Sequence, residues 1–260
     1  MLKILKYSFF DLMRSRWSYV YFLFYLLLGI VLLFLNNDLS KAVITLMNVI
    51  IILVPLIGTI FGVMYYYNSK EFTELLLAQP VKRSSIFLGQ YLGVALSLSM
   101  SLIIGLGLPF VFYGIFNSGA IWDFSLLLVT GAFLTLIFTA LAFVIALANE
   151  NKIKGFGYAI LLWLFMAVIY DGIFLMSLVY FEEYPLDTFS LVATMLNPVD
   201  LSRVLILLKL DISALLGYTG AVFQKFFGTN FGFILSSLLL VIWVAVPTFF
   251  IQHMAKRKDF

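Results

Sequence analysis

Six apolar stretches, each about 20 residues or longer, decide what this chain can fold into. They cover residues 17–35, 42–66, 91–115, 124–148, 156–181 and 231–252. A helix of about 20 residues crosses a hydrocarbon core about 30 Å thick. Inside that core every backbone N–H and C=O must find its partner within the protein, which leaves helices or a closed barrel. Leu, Phe and Ile run through these stretches without the alternation of barrel strands. The reading is an all-α membrane protein: a single transmembrane domain over residues 1–260 with six transmembrane helices. Composition agrees, since 63% of the chain is hydrophobic and 11% charged, against roughly a quarter charged in a soluble domain.

Lys and Arg set the orientation, because cytoplasmic loops carry the excess of basic residues. With the N-terminus inside, the cytoplasmic segments hold Lys3, Lys6, Arg14, Arg16, Lys70, Lys82, Arg83, Lys152, Lys154, Lys256, Arg257 and Lys258. The other side holds Lys41, Arg203, Lys209 and Lys225. Both termini are therefore expected in the cytoplasm. Residues 1–16 set Leu2, Leu5, Phe9 and Leu12 at helical spacing among basic residues. That pattern predicts an N-terminal interfacial helix, with an ordinary positive flank of the first span as the alternative.

The loops are unequal. Residues 36–41 and 116–123 are short outer turns and 149–155 a short inner one, whereas 182–230 form a long extracytoplasmic loop. This loop contains LVATMLNPVDLSRVLILLKLD and ISALLGYTGAVFQKFFG. Asn197 and Pro198 read as a helix N-cap and first turn, with Asp200 near the positive helix end. Val204, Leu205, Leu207 and Leu208 supply an apolar face, and Gly217, Gly220 and Gly228 break the stretch that follows. Outer amphipathic helices between the fifth and sixth spans are expected, lying on the outer leaflet or dipping into it.

Little here carries chemistry. The chain has no cysteine and one histidine, His253, so disulfides, thiolate metal sites and cysteine nucleophiles are excluded. A net charge of +3 is too small and scattered for nucleic-acid binding. No GxxxxGK[ST] loop occurs. The chain is not expected to be an enzyme or to hold a cofactor; ATP and Mg would be bound by a separate ATPase. Met100, Met166, Met176 and Met195 are scattered and read as packing residues rather than soft-metal ligands, so no metal site is predicted. Asp171 is the charge inside a predicted span, and an intramembrane carboxylate is a functional candidate by default. It lies about 22 Å along its helix from Phe156 at 1.5 Å per residue. A hydrogen bond to a neighbouring helix is favoured there over a proton relay. Glu182 and Glu183 read as an acidic rim. Pro55, Pro109 and Pro247 interrupt three spans, and Gly58 with Gly62, like Gly89 with Gly93, permits close helix approach.

The segment between the second and third spans is the handle for a soluble partner. Glu71, Glu74, Lys82 and Arg83 alternate with Phe72, Leu75, Leu76 and Leu77, and Pro80 marks a break before the next helix. The run EFTELLLAQPVKRSSIFLGQYLG resembles the first cytoplasmic loop of ABC-2 type transporter permeases. The match falls on Glu71, Glu74, Leu75, Leu76, Leu77, Pro80, Arg83, Ile86, Leu88 and Gly89, and departs at Gln90, where the family usually has Lys. NENKIKGFGYAILLWLFMAVIYDG and LNPVDLSRVLILLKLD further resemble the NosY-type subgroup, which is encoded with nitrous oxide reductase maturation genes.

The resemblance implies that residues 70–90 form a coupling loop, with Glu71, Phe72, Glu74, Leu75, Leu76, Pro80 and Arg83 meeting a cytoplasmic ABC ATPase. It also implies a second permease copy in a homodimer, a location in the inner membrane, and a periplasmic partner that recruits a copper chaperone. Asn197, Pro198, Asp200 and Arg203 are the docking candidates for that partner. Copper-site assembly in nitrous oxide reductase is the implied task. A Cu(I) path would call for Cys, His or closely spaced Met, so two readings stand beside it. The cargo is a sulfur species rather than a bare ion, or nothing crosses and motion is relayed to the outer loop. An exporter of a drug or lipid, and a non-transporting scaffold, are the competing classes.

Overall fold

The computed structural model describes residues 1–36, 38–181, 183–184, 186–209, 223–226 and 228–257. Glu182, Gly217, Gly220, Lys258 and most of the second expected outer helix lie outside these residues. Among the described residues there is no strand, and six helices are long and apolar enough to cross a bilayer. The expected all-α architecture and the number of spans therefore hold.

Local chemistry sets the breaks between helices. Helix α1 (Leu2–Arg14) ends at Ser15, whose extended backbone and side chain open α2 (Arg16–Leu35) by accepting the Ser18 N–H at 3.2 Å. Asp38 caps α3 (Leu39–Asn68) through the Ser40 N–H at 3.0 Å. The short α4 (Lys70–Leu77) follows, then the long α5 (Arg83–Phe112). After α5 the chain turns at Gly114, which has φ +90, a left-handed conformation that favours glycine. Helix α6 (Ile121–Ala148) returns to the α4 end of the bundle. There Asn151 caps α7 (Lys152–Leu164) by accepting the N–H groups of Ile153 and Lys154 at 2.9 and 3.3 Å. A π turn (Phe165–Ile169) joins α7 to α8 (Tyr170–Tyr180), so the fifth span is one path with a widened turn near its middle. Helices α9 (Asp187–Leu196) and α10 (Pro198–Lys209) form a bent pair, and α11 (Asn230–Arg257) is the last span.

Helices α3, α5 and α6 are the most buried spans, and α3 packs most extensively on α6. The two predicted glycine pairs explain how. A Cβ at Gly62 would meet Ala142 Cβ at 2.8 Å and one at Gly58 would meet Thr139 Oγ1 at 3.3 Å, so this pair seats α3 directly on α6. The second pair extends further than the sequence motif indicated. Gly89 and Gly93 face Ile4 and Ser8 of α1, Ser101 donates to Met13 Sδ at 4.0 Å, Gly105 faces Tyr25, and Pro109 faces Gly29. Small residues thus recur every fourth position along most of α5. Helices α1 and α2 lie end to end along that ridge, both running parallel to α5. Helix α1 is a separate amphipathic helix, as expected, and its buried stripe of Ile4, Ser8 and Leu12 packs lengthwise on α5.

The hairpin α9–α10 bends by 114° between its two arms. Tyr170 donates to the carbonyl of Ala193 at 2.7 Å, Phe174 stacks on Phe189 at 6.3 Å, and Asn197 donates to the carbonyl of Met166 at 2.8 Å. Residues four apart on one side thus meet residues four apart, in reverse order, on the other. Helix α9 runs antiparallel to the fifth span as far as its π turn, and α10 turns back from there. Of the two placements expected for the outer helices, α10 fits the inserted one. Val199, Leu201, Ser202, Val204, Leu205, Ile206 and Leu207 are all buried, because α10 inserts against α3, α6, α9 and α11. The dipping alternative describes it.

Candidate functional site

The bundle offers two polar sites, one around α4 at one end and one beside the π turn near the middle of the fifth span. The first surrounds α4. Its exposed face carries Glu71, Glu74 and Leu75, and Leu75 is 69% exposed despite being apolar. Lys70 lies 3.9 Å from Glu74 on the same face, and Glu71 sits in the first turn, where a carboxylate favours the helix N-terminus. Leu76 and Leu77 are half-buried, Pro80 is exposed in the link that follows, and Arg83 is the first residue of α5.

The opposite face of α4 is held at two points. Phe72 stacks on Tyr7 of α1 with ring centroids 4.5 Å apart. Thr73 is buried and donates to the carbonyl of Ser69, the N-cap residue, at 2.8 Å; it accepts in turn from Gln90 Nε2 at 2.8 Å. The chain Gln90 to Thr73 to Ser69 strengthens each of its hydrogen bonds. Gln90 is fully buried. It is the position at which the loop departs from the family pattern, and its amide fastens α4 to α5. Sequence reasoning noticed Gln90 as a departure and missed its partner; the clue available was a neutral amide beside the small-residue ridge.

The second site lies where the hairpin tip meets the π turn. Arg203 Nη1 donates to Asp171 Oδ2 at 2.8 Å and to Asp200 Oδ1 at 3.4 Å. Asn197 donates to Asp200 Oδ2 at 2.9 Å and to the Met166 carbonyl within the π turn, while its Oδ1 accepts the Val199 N–H at 3.0 Å. The predicted cap at Asn197–Pro198 is therefore present, with α10 beginning at Pro198. Two carboxylates share one guanidinium, so the cluster carries one net negative charge when all three groups are ionised.

This arrangement places the candidate residues differently from a surface docking patch. Asn197 is 1% exposed and Asp200 7% exposed, so their polar atoms face inward. Arg203, read in the sequence as part of the outer loop, is the partner of Asp171. The signal for that pairing was present: an unpaired intramembrane carboxylate calls for a cation, and Arg203 is one of four basic residues assigned to its side. Two further indole hydrogen bonds hold the surroundings. Trp163 donates to the Ile52 carbonyl at 3.1 Å and Trp243 to the Met195 carbonyl at 3.4 Å. Met166 and Met195 pack against the core, whereas Met100 and Met176 are exposed.

The fold and these two sites define a multi-pass helical membrane protein with a braced external helix at one end and a charged hairpin lock inserted from the other. Comparison with known proteins gives that class a relative. The chain is similar to the probable ABC transporter permease protein NosY of Stutzerimonas stutzeri, at 23% identity over 211 residues that cover 75% of this chain and 76% of that protein. It is similar also to the probable ABC transporter permease protein NosY of Pseudomonas aeruginosa (strain PAO1), at 25% identity over 230 residues covering 78% and 80%. No protein-family model matches the chain. The resemblance to NosY-like ABC transporter permeases, raised by the loop motif together with the stretches at 149–172 and 196–211, is thus matched across most of the chain, and the helical membrane fold fits a permease subunit.

Proposed function

We propose that this chain is the transmembrane permease subunit of an ABC transporter, driven by a separate ATPase that docks on α4. The observation that carries the proposal is the division of α4 into two faces. Glu71, Glu74 and Leu75 point outward, while Phe72 and Thr73 are fixed to α1 and α5. A short helix joined to two other helices passes displacement on rather than absorbing it. The excess of Lys and Arg at this end supports a cytoplasmic orientation in the inner membrane.

The task we propose, by the similarity to NosY-type permeases, is copper-site assembly in nitrous oxide reductase. It would involve a second permease copy and a periplasmic partner. The absence of cysteine and the single His253 favour a sulfur species as cargo, or relay of motion without cargo, over passage of copper ions. In the relay version the Asp171–Arg203 pair couples the fifth span to the α9–α10 hairpin. The testing experiment is purification of the tagged chain from native membranes, with peptide sequencing of what remains bound. A soluble chain carrying a phosphate-binding loop is expected, together with an exported protein. Recovery without any ATPase would overturn the permease reading, and an ATPase without an exported partner would favour an ordinary exporter.

A further inference from the structure

Helix α1 has two faces, and the bundle uses one of them. Ile4, Ser8 and Leu12 are buried against α5. On the opposite side Lys3, Lys6, Phe10 and Arg14 follow one another at i, i+3, i+7 and i+11, and all four are exposed. Among the described residues none of these three cations takes part in an ion pair. Asp11, the acid of α1, lies off this face, beside the Tyr65 hydroxyl of α3. The outward face thus combines three positive charges with one aromatic ring and holds no carboxylate.

The depth of this face is set by α5. Ile4 faces Gly89 and Met13 meets Ser101, so α1 flanks the start of an apolar stretch that begins near residue 91. Just beyond α1, Trp17 and Tyr19 open α2 and are 62% and 63% exposed, as aromatic rings are where a span leaves the hydrocarbon. At that depth the outward face of α1 meets lipid headgroups rather than acyl chains or bulk water. We infer that the Lys3–Lys6–Phe10–Arg14 face binds anionic phospholipids of the leaflet on the α4 side. The three cations meet headgroup phosphate oxygens, and Phe10 enters the acyl boundary between them. Charge complementarity selects this occupant: a zwitterionic headgroup brings no net charge to offset three unpaired cations.

The lipid face is joined to α4. Tyr7 follows Lys6 on α1 and stacks on Phe72 with ring centroids 4.5 Å apart. Lipid held on one side of α1 and α5 packed on the other restrict the motion of α1, and the ring stack passes that restraint to α4. Membrane charge thereby becomes an input to the outward surface of α4. The lipid site stands without the permease reading, whereas any effect on a transporter rests on it.

Native mass spectrometry of the purified full chain, supplied with equal amounts of phosphatidylglycerol and phosphatidylcholine, tests the site. The unaltered chain is expected to retain phosphatidylglycerol over phosphatidylcholine by roughly tenfold. The triple variant Lys3→Gln, Lys6→Gln and Arg14→Gln should bring the two lipids near parity, since each basic residue at an anionic surface strengthens attachment about fivefold. A control triple variant, Lys152→Gln, Lys154→Gln and Lys256→Gln, removes the same charge from exposed positions at the same end and should keep the preference. No preference in the unaltered chain, or equal loss in both triple variants, would overturn the site. Displacement of phosphatidylglycerol by millimolar inorganic phosphate would also overturn it, since the ligand would then be a free anion. Amide exchange over residues 70–77 in lipid nanodiscs reads the link to α4. Phosphatidylglycerol should slow it roughly threefold in the unaltered chain and leave it unchanged in the α1 triple variant. Unchanged exchange beside an intact lipid preference would overturn the link and keep the site. No ATPase enters these measurements, so their failure leaves the permease reading standing.

Discussion

Gln90, buried in α5, donates its side-chain amide to Thr73 Oγ1 in α4 at 2.8 Å. This hydrogen bond converts a short helix outside the apolar spans into part of the bundle. With Tyr7 against Phe72 on the α1 side, it leaves α4 little freedom to move without α5 and α1.

Removing the amide should loosen α4 without unfolding the spans. Gln90→Leu deletes one buried hydrogen bond, worth about 1 kcal/mol, while Thr73 keeps its own bond to Ser69. Amide hydrogen exchange over residues 70–77 should become roughly fivefold faster, with exchange in α3 and α6 unchanged. Unaltered exchange in α4 would show that Phe72 and Tyr7 suffice to hold it.

Because Leu75 and Glu71 face outward, changing them should cost the fold little. Leu75→Asp and Glu71→Ala are expected to reach the membrane in normal amount and to lower ATPase recovery or transport-linked ATP hydrolysis by roughly tenfold. Full maturation activity in both variants would remove α4 from the coupling role.

The Asp171–Arg203–Asp200 cluster predicts an order of severity. Arg203→Met leaves two carboxylates without their cation, whereas Asp171→Asn leaves Arg203 its second partner at 3.4 Å. Thermal unfolding in detergent should show Arg203→Met the more destabilising, by about 1–3 kcal/mol. The double variant with Asp171→Asn should recover part of that loss. If the two single variants are equal and additive, the pair does not lock the hairpin to the fifth span.

The small-residue ridge on α5 can be tested with its own control. A Cβ at Gly93 would lie 2.6 Å from Ser8 Cβ and 2.9 Å from the Leu5 carbonyl oxygen, so Gly93→Ala should push α1 away at a cost of about 1–3 kcal/mol. At Gly107 a Cβ meets nothing within 4 Å, and Gly107→Ala should be neutral or stabilising by up to about 1 kcal/mol. Thermal stability of the extracted protein separates the two.

What the sequence determined by itself was everything set by the solvent. Lipid requires long apolar helices with internal hydrogen bonds, so six spans, the Asn197–Pro198 helix start and the α4 segment between two spans could be read directly. The tertiary structure alone decided which polar groups meet. Arg203 lies 32 residues from Asp171, Gln90 lies 17 from Thr73, and Tyr67 lies 82 from Asn149; no local periodicity records such pairings. In hydrocarbon a polar side chain needs a partner from another helix, and its choice follows from how the helices pack. The glycine pairs show the same boundary. Their spacing marked close approach in advance, but whether α3 met α6 and α5 met α1 depended on the shapes brought against them.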